Sequence, residues 1–168
     1  MTSPRLSYGP VSMATLDAFH TLVVDPHVRR YLMDGQTFPR DWSEARVHDS
    51  EALFERRGVG LWLVHERTSD ALVGFCGFLE FPAADAEPEL VYALFERYCG
   101  RGYATEMARA SIAYARACAG FGDIAAAVDA VNAASLRVLE KVGFERYGSR
   151  SGAFGPTLLL RLAAAAAA

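Results

Sequence analysis

Apolar residues recur every three or four positions in several segments of the chain, which is the spacing of one face of an amphipathic helix. Ser12 stands at the start of the first such segment as a candidate cap, and Ser43 or Asp41 stands near the start of the third. Gly58 follows the third segment, where a glycine commonly ends a helix. The predicted helices are Ser12–Val24, Pro26–Tyr31, Trp42–Arg57, Ala104–Ala119 and Ala134–Val142.

Shorter runs rich in β-branched, aromatic or alternating apolar residues predict strands between these helices. Thr68-Ser69-Asp70 has the composition of a turn and predicts a hairpin, whereas Pro82–Pro88 reads as a polar loop. Strands early in the chain, followed by strand–helix–strand–helix–strand, predict an α+β or α/β domain around a mixed central sheet. The predicted strands are Arg5–Tyr8, Leu61–Glu66, Leu72–Phe81, Glu89–Phe95, Ile124–Val128, Phe144–Gly148 and Pro156–Leu162.

Composition limits the size and the partners of this domain. The 168 residues are 52% apolar and 22% charged, which supports one domain with a substantial core. We expect that domain to span residues 1–162, and we exclude the alanine tail at 163–168 from functional reasoning. The net charge is −3 and no basic face is evident, so nucleic acid and anionic membranes are poor candidate partners.

Cysteine usage and the amino-terminal residues predict the compartment. The three cysteines, Cys76, Cys99 and Cys118, are widely spaced and show no metal-ligand spacing. This pattern favours a reducing cytosol and argues against a structural metal. The first residues lack the pattern of a signal peptide, and every apolar run is shorter than the ~20 residues that span a bilayer. We therefore expect a cytoplasmic protein.

The segment RYCGRGYATE, Arg97–Glu106, is the first candidate for a binding site. Gly100 and Gly102 precede a predicted helix, whose start presents unpaired N–H groups and a partial positive charge. Glycines there allow the backbone to approach an anion closely, and phosphate is the usual anion. Arg97 and Arg101 could add charge-assisted contacts. The pattern therefore predicts a phosphate-binding loop.

Two common nucleotide-binding loops fit this segment poorly. A Walker loop requires Gly-Lys-Ser/Thr, and the chain contains no Gly-Lys pair. A dinucleotide-binding loop requires a third glycine, but Thr105 occupies its position. That loop also follows the first strand of its domain, whereas this one follows at least three predicted strands.

A third family fits better. RYCGRGYATE resembles the Arg/Gln-x-x-Gly-x-Gly/Ala segment with which Gcn5-related N-acetyltransferases (GNAT) hold the pyrophosphate of acetyl-CoA. NAASLRVLEKVGFERYG, from Asn132 to Gly148, resembles a second signature, in the version found in the ribosomal-protein-alanine (RimJ/RimL-like) branch. ELVYALF resembles the fourth strand of that branch, and similarity extends over nearly the whole chain. The resemblance implies an acyl-CoA N-acyltransferase fold whose fourth and fifth strands splay apart.

The resemblance also implies the residues that bind acetyl-CoA. In the family, the splayed fourth strand pairs with the pantetheine arm, which here falls at Tyr92 to Leu94. Asn132 would contact coenzyme A, although it could equally be a helix cap. The loop would contribute mainly through its main-chain N–H groups. The implied loop residues are Arg97, Cys99, Gly100, Arg101, Gly102, Tyr103, Ala104 and Thr105.

Two residues are candidates for proton transfer. In the RimL-like branch, the serine matching Ser135 is proposed to protonate the departing thiolate, and many other family members use a tyrosine where this chain has Leu139. Ser135 could instead be a first-turn serine. Glu89 matches the family's fourth-strand glutamate and could accept the amine's proton, or be a surface residue. Glu80 is a second candidate base.

The remaining titratable residues carry weaker signals. Glu106 stands where a carboxylate favours a helix amino terminus. We expect His65 to be structural or exposed, and we assign no role to His20, His27 or His48. Cys99 lies in the loop, but no paired histidine is evident in the sequence, which favours direct transfer without a covalent enzyme intermediate.

The predicted function is transfer of an acetyl group from acetyl-CoA to a primary amine within a ternary complex. The amine could be a protein amino terminus or a small molecule such as an antibiotic, and a non-catalytic acyl-CoA-binding module is the alternative of another class. Tyr31, Phe38 and Trp42 would line the acceptor side by resemblance, or else belong to the core. A homodimer is compatible with the family.

Overall fold

The computed structural model describes residues 1–81 and 87–164. The predicted loop Pro82–Pro88 and the alanine tail therefore lie largely outside the described residues. The helices are α1 (Leu16–Val23), α2 (Pro26–Leu32), α3 (Arg40–Arg57), α4 (Tyr103–Ala119) and α5 (Ala133–Lys141). The strands are β1 (Leu6–Pro10), β2 (Leu61–Glu66), β3 (Leu72–Leu79), β4 (Glu89–Leu94), β5 (Ile124–Asp129), β6 (Glu145–Gly152) and β7 (Gly155–Leu162).

In the described residues the strands form one seven-stranded sheet with the order β1-β2-β3-β4-β5-β7-β6. Neighbouring strands are antiparallel except β4 and β5, which are parallel. The sheet is therefore mixed, and helices flank it. The predicted fold class is confirmed.

The two parallel strands touch only where they begin. Glu89 of β4 pairs with Ala125 of β5, and β4 pairs with β3 along its whole length. Beyond Glu89, the edge of β4 that faces β5 has no ladder partner among residues 1–81 and 87–164, and β5 pairs instead with β7 on its far side. The sheet consequently opens into a gap between β4 and β5, as the resemblance predicted.

Alternate side chains of β2 build the two faces of the sheet. Leu61 and Leu63 pack with apolar residues of α1, α2 and α3, such as Phe19 and Val47. Trp62 packs on the opposite face with residues of α4 and β5. Because successive strand residues point to opposite faces, this alternation places α1–α3 on one side of the sheet and α4 on the other.

Several boundaries differ from the sequence predictions. The segment predicted as one helix from Ser12 splits into a 3₁₀ turn, Met13–Thr15, and α1; the Ser12 N–H donates to Thr15 Oγ1 at 2.9 Å. Helix α3 begins at Arg40, directly after Pro39, so neither Asp41 nor Ser43 caps it. Ser43 is instead buried, where its hydroxyl hydrogen-bonds to His20 Nδ1 at 2.8 Å.

Strand β6 is longer than predicted, because it continues to Gly152 and pairs with β7 along its length. Its residues are almost all exposed, so apolar periodicity carried little information there. Among the described residues, no helix is long and apolar enough to cross a membrane.

Candidate functional site

The gap between β4 and β5 contains a cavity of about 460 Å³. Its walls come from β4, β5, the start of α4, α5 and the inner side of α2. The separation of β4 and β5 therefore creates the cavity. The predicted residues that line it are Tyr92, Leu94, Cys99, Gly100, Gly102, Tyr103, Ala104, Thr105, Asn132 and Ser135.

The loop before α4 forms one end of this cavity. Gly100 has φ +76° and Gly102 has φ +79°, a left-handed conformation that other residues adopt only at a cost. Gly102 lies at the amino-terminal boundary of α4, and the first helical amide with a backbone partner is that of Glu106, which donates to the Gly102 carbonyl at 3.1 Å. The glycines therefore set the direction of the backbone at this turn.

The amides of the loop are available to a ligand. None of the N–H groups from Gly100 to Thr105 hydrogen-bonds to an acceptor within the described residues. These amides lie at the start of a 17-residue helix, where the helix dipole favours an anion. The space that a Cβ would fill at Gly100 is open. The loop thus fits a phosphate group.

The two loop arginines do not line the cavity. The Arg97 guanidinium stacks over Phe95 at 4.4 Å and over Tyr98 at 5.1 Å, and Arg101 lies 5.4 Å from the Tyr98 ring centroid. Both charges remain close to the loop. Their side chains are held against aromatic rings.

An arginine that sequence reasoning missed secures the loop. Arg5 donates from Nη1 to the Arg101 carbonyl at 2.9 Å and from Nε to Glu106 Oε2 at 2.7 Å. Its guanidinium also lies 4.5 Å from the Tyr103 ring centroid. Arg5 and Arg101 are 96 residues apart, so no local sequence pattern joins them.

Glu106 is held by the amino-terminal residues Ser3 and Arg5. Its Oε1 accepts from the Arg5 N–H at 2.8 Å and from Ser3 Oγ at 2.7 Å. Burial alone would raise the pKa of this carboxyl, but the hydrogen bonds from Arg5 and Ser3 outweigh it and hold the pKa below its usual value. Besides facing the helix dipole, Glu106 therefore ties the amino-terminal segment to α4.

The start of α5 presents Ser135 to the opposite wall of the cavity. Asn132 caps this nine-residue helix, and its Oδ1 accepts the Ser135 N–H at 3.1 Å. Asn132 is therefore a helix cap, as the sequence allowed. Asn132 and Ser135 also line the cavity.

Tyr92 reaches Ser135 from β4. The Tyr92 hydroxyl lies 2.7 Å from Ser135 Oγ and donates to the Ser135 carbonyl at 3.2 Å. Burial raises the pKa of Tyr92 to about 12, against a smaller lowering by the hydrogen bond to Ser135. The sequence analysis named Tyr92 only for its main chain. Its side-chain partner is 43 residues away and could not be read from spacing.

The candidate bases lie outside the cavity lining. Glu89 is only 7% exposed at the point where β4 and β5 meet. Burial raises the pKa of its carboxyl, and Arg150 partly opposes the shift. Glu80 is paired with Arg56 of α3 at 2.9 Å. Glu89 is therefore the stronger candidate.

A histidine lies beside the loop cysteine. His27 Nε2 of α2 is 3.4 Å from Cys99 Sγ, and both residues line the cavity. The sequence showed no such pair because the two residues are 72 positions apart. Burial and the neighbouring Glu96 raise the pKa of the Cys99 thiol. The thiol is therefore held in its less nucleophilic, protonated form.

The aromatic residues considered for the acceptor side separate into two groups. Tyr31 lines the cavity, whereas Phe38 and Trp42 stack on one another at 4.4 Å and pack against the core beneath α1–α3. Within the described residues no group of three or more His, Cys, Asp or Glu side chains lies close enough together to hold a metal ion.

Comparison with known proteins agrees with this geometry. A family model described as an acetyltransferase (GNAT) domain matches residues 5–145. A Bacillus subtilis protein named YkkB is 31% identical over 128 residues, which cover 74% of this chain and 72% of YkkB. The match to the family model spans the loop, the splayed strands and α5.

Solved structures share the fold. An acetyltransferase from Agrobacterium tumefaciens superposes with a TM-score of 0.80 at 23% identity, covering 96% of this chain and 92% of that one. RimL, the ribosomal L7/L12 alpha-N-protein acetyltransferase solved with coenzyme A, has a TM-score of 0.80 at 17% identity, with 98% and 97% covered. Spermidine N-acetyltransferase from Vibrio cholerae, solved with CoA and spermine, has a TM-score of 0.78 at 14% identity, with 95% and 96% covered.

Proposed function

The chain belongs to the GNAT acetyltransferase family and is an acetyl-CoA-dependent N-acetyltransferase. We propose that it transfers the acetyl group directly to a primary amine in a ternary complex. One observation carries the proposal. The parting of β4 and β5 opens a cavity opposite the free amides at the start of α4. A long substrate that carries a diphosphate at a distance from a terminal thioester matches this arrangement.

In this proposal the loop binds the diphosphate of acetyl-CoA. The N–H groups from Gly100 to Thr105, including those of Arg101, Tyr103 and Ala104, supply the hydrogen bonds, and the α4 dipole favours the negative charge. The Cys99 N–H, which the resemblance also implied, already donates to the Glu96 carbonyl at 2.9 Å and does not take part. The Arg97 and Arg101 side chains add positive charge nearby without needing to leave Tyr98.

The free edge of β4 binds the pantetheine arm. Beyond Glu89 this edge has no ladder partner on the β5 side, so its main-chain groups at Tyr92 to Leu94 can pair with the amides of the arm. Asn132 borders the arm from the other wall. The thioester is then placed beside Ser135.

The transfer itself needs two proton movements. The amine nitrogen bonds to the carbonyl carbon, the carbon–sulfur bond breaks, and sulfur leaves with the electron pair. Ser135 protonates the sulfur, and Glu89 accepts the amine's proton through water, since it does not line the cavity. Burial raises the pKa of Glu89, which makes it a stronger base than an exposed glutamate. Holding both reactants together supplies much of the acceleration.

For the acceptor we propose a primary amine, at a protein amino terminus or on a small molecule. RimL is described as acting on a protein α-amine, and the Vibrio cholerae enzyme acts on spermidine. The Asn132–Gly148 signature supports the RimJ/RimL-like branch. From the three widely spaced cysteines we further propose a cytoplasmic location, and dimer formation stays a prediction of the resemblance.

The test compares two glutamate substitutions at opposite ends of α4. Gly102→Glu places a carboxylate in the proposed diphosphate site, whereas Gly120→Glu places one at the other end of the helix, where φ is also left-handed at +68°. Both substitutions carry a comparable backbone strain of about 1–2 kcal/mol, so the difference between them reports the position of the new carboxylate.

Isothermal titration with acetyl-CoA should show binding to the wild type and to Gly120→Glu, and no detectable binding to Gly102→Glu. Release of free thiol should accompany the addition of a suitable amine. Equal binding by the two variants would refute the diphosphate site.

A further inference from the structure

We infer that Tyr92 and Ser135 form a proton relay across the gap between β4 and β5, in which Tyr92 resupplies the proton that Ser135 gives to the leaving sulfur. The inference rests on the proposed function and assigns to the Tyr92 side chain a role that neither its strand position nor the loop motif implies. Tyr92 is a positioning residue in this relay, because it acts through Ser135.

The two hydroxyls come from opposite walls of the cavity. Tyr92 lies on β4 beyond the single point where β4 meets β5, and Ser135 lies in the first turn of α5. Their oxygens are 2.7 Å apart, and both residues line the cavity. The hydrogen bond therefore connects two walls of the cavity beside the proposed position of the thioester.

The contacts of Ser135 are compatible with proton transfer from Tyr92 to Ser135. The Asn132 side chain accepts the Ser135 N–H at 3.1 Å, which holds the first turn of α5 in place. In the relay the Tyr92 proton turns from the Ser135 carbonyl, 3.2 Å away, to Ser135 Oγ, 2.7 Å away, and the serine's own proton then points into the cavity. A serine hydroxyl has one proton to donate, so Tyr92 determines where that proton goes.

A relay also avoids an unstable product. A serine that protonated the sulfur alone would be left as an alkoxide, which is a far stronger base than a phenolate. With Tyr92 as its donor, Ser135 is reprotonated as it gives its proton away, and the charge ends on the phenol oxygen. Burial raises the pKa of Tyr92 to about 12, so the phenol carries its proton throughout the neutral range.

The proton count closes without any further reactant. The amine nitrogen forms its bond to carbon, and the sulfur leaves with the electron pair of the carbon–sulfur bond. Sulfur takes the Ser135 proton, Ser135 takes the Tyr92 proton, and the phenolate recovers a proton through solvent from the one that the amine loses. Each side chain ends as it began.

Kinetics of three variants test the relay: Tyr92→Phe, Ser135→Ala and the double variant. Spermidine and a short peptide with a free α-amine serve as acceptors, and free thiol is the readout. Because general acid catalysis contributes about 10²–10⁴-fold, we expect each single variant to lower kcat by on the order of 100-fold. The Kd for acetyl-CoA should stay within about twofold, and the double variant should be no slower than the slower single variant.

A solvent isotope experiment separates a relay from a structural role. In mixtures of light and heavy water, wild-type kcat should fall along a curve, because two protons move together, and Tyr92→Phe should give a straight line. Tyr147→Phe, at a residue that is 58% exposed on β6, is the matched control and should behave as wild type.

The outcomes are distinct. A wild-type chain that releases no thiol with either acceptor, or with a wider amine panel, overturns the proposed function and the relay together. An active wild type with Tyr92→Phe near wild-type kcat, or with fully additive effects in the double variant, overturns the relay alone. A straight line for the wild type does the same.

Discussion

Replacing Glu106 with glutamine removes a charge that joins α4 to the amino-terminal segment at Ser3 and Arg5. Glu106 accepts hydrogen bonds from the Arg5 N–H, Arg5 Nε and Ser3 Oγ, at 2.7–2.8 Å. Its side chain is 13% exposed, whereas that of Arg5 is 49% exposed. Glutamine retains one acceptor oxygen, so Glu106→Gln loses the charge and the bond to Arg5 Nε.

The expected loss of stability follows from these contacts. A hydrogen bond to a charged group contributes about 1.5–3 kcal/mol, but a half-exposed arginine is screened by solvent. We therefore expect Glu106→Gln to lower the free energy of unfolding by about 1–2 kcal/mol at pH 7. For a domain of this size each kcal/mol corresponds to a fall in Tm of about 2–4 °C.

The pH dependence gives the sharper test. Hydrogen bonds hold the pKa of Glu106 below its usual value in the folded chain, so its contribution is complete above the unfolded pKa of about 4.3 and is lost as pH falls through the folded pKa. Urea unfolding of wild type and variant should therefore differ fully at pH 7 and converge in more acidic solution.

The control is Glu140→Gln, at an exposed glutamate on α5, which should leave the unfolding free energy nearly unchanged. A wild-type advantage over Glu106→Gln that persists undiminished well below pH 4 would contradict the electrostatic account. So would equal stability at pH 7.

Two further predictions concern the chemistry. Glu89→Gln should lower kcat. In a pH–rate profile of thiol release, the wild-type rate should fall as the pH drops through the raised pKa of Glu89, and the variant should lack this fall. The same fall in the variant would exclude Glu89 as the base. Wild-type protein incubated with acetyl-CoA but no amine should gain no acetyl group in its intact mass, because the pKa of the Cys99 thiol is raised; an acetyl group located on Cys99 would favour a covalent route.

Features set by neighbouring residues could be predicted from the sequence. The sheet strands and α4 follow from hydrophobic periodicity and helix propensity, and the loop follows from two glycines before a helix. In each case the physical cause lies within a few residues. Gly100 and Gly102 adopt the left-handed backbone that glycine favours, and the amides from Gly100 to Thr105 have no acceptor in the part of the chain that the structure describes.

Features set by the order of the strands could not be predicted in this way. Tyr92 meets Ser135, and Arg5 meets Arg101, because the sheet places β4 beside β5 and β1 near the start of α4. His27 meets Cys99 because α2 packs over the same end of the cavity. A single sequence does not state which distant side chains become neighbours, so these pairs required the fold.

At Leu139 both the sequence pattern and the fold are needed to understand the site. Many members of the family have a tyrosine at this position, but Leu139 is 2% exposed and packs into the main core with Ile112 and Phe144. A phenol is nevertheless present at the same helix, because β4 brings Tyr92 to within 2.7 Å of Ser135 Oγ. The tyrosine hydroxyl therefore approaches from the opposite wall of the gap. Leu139 contributes both to the core and to the cavity wall, and the position of the phenol depends on the spacing of the two parted strands.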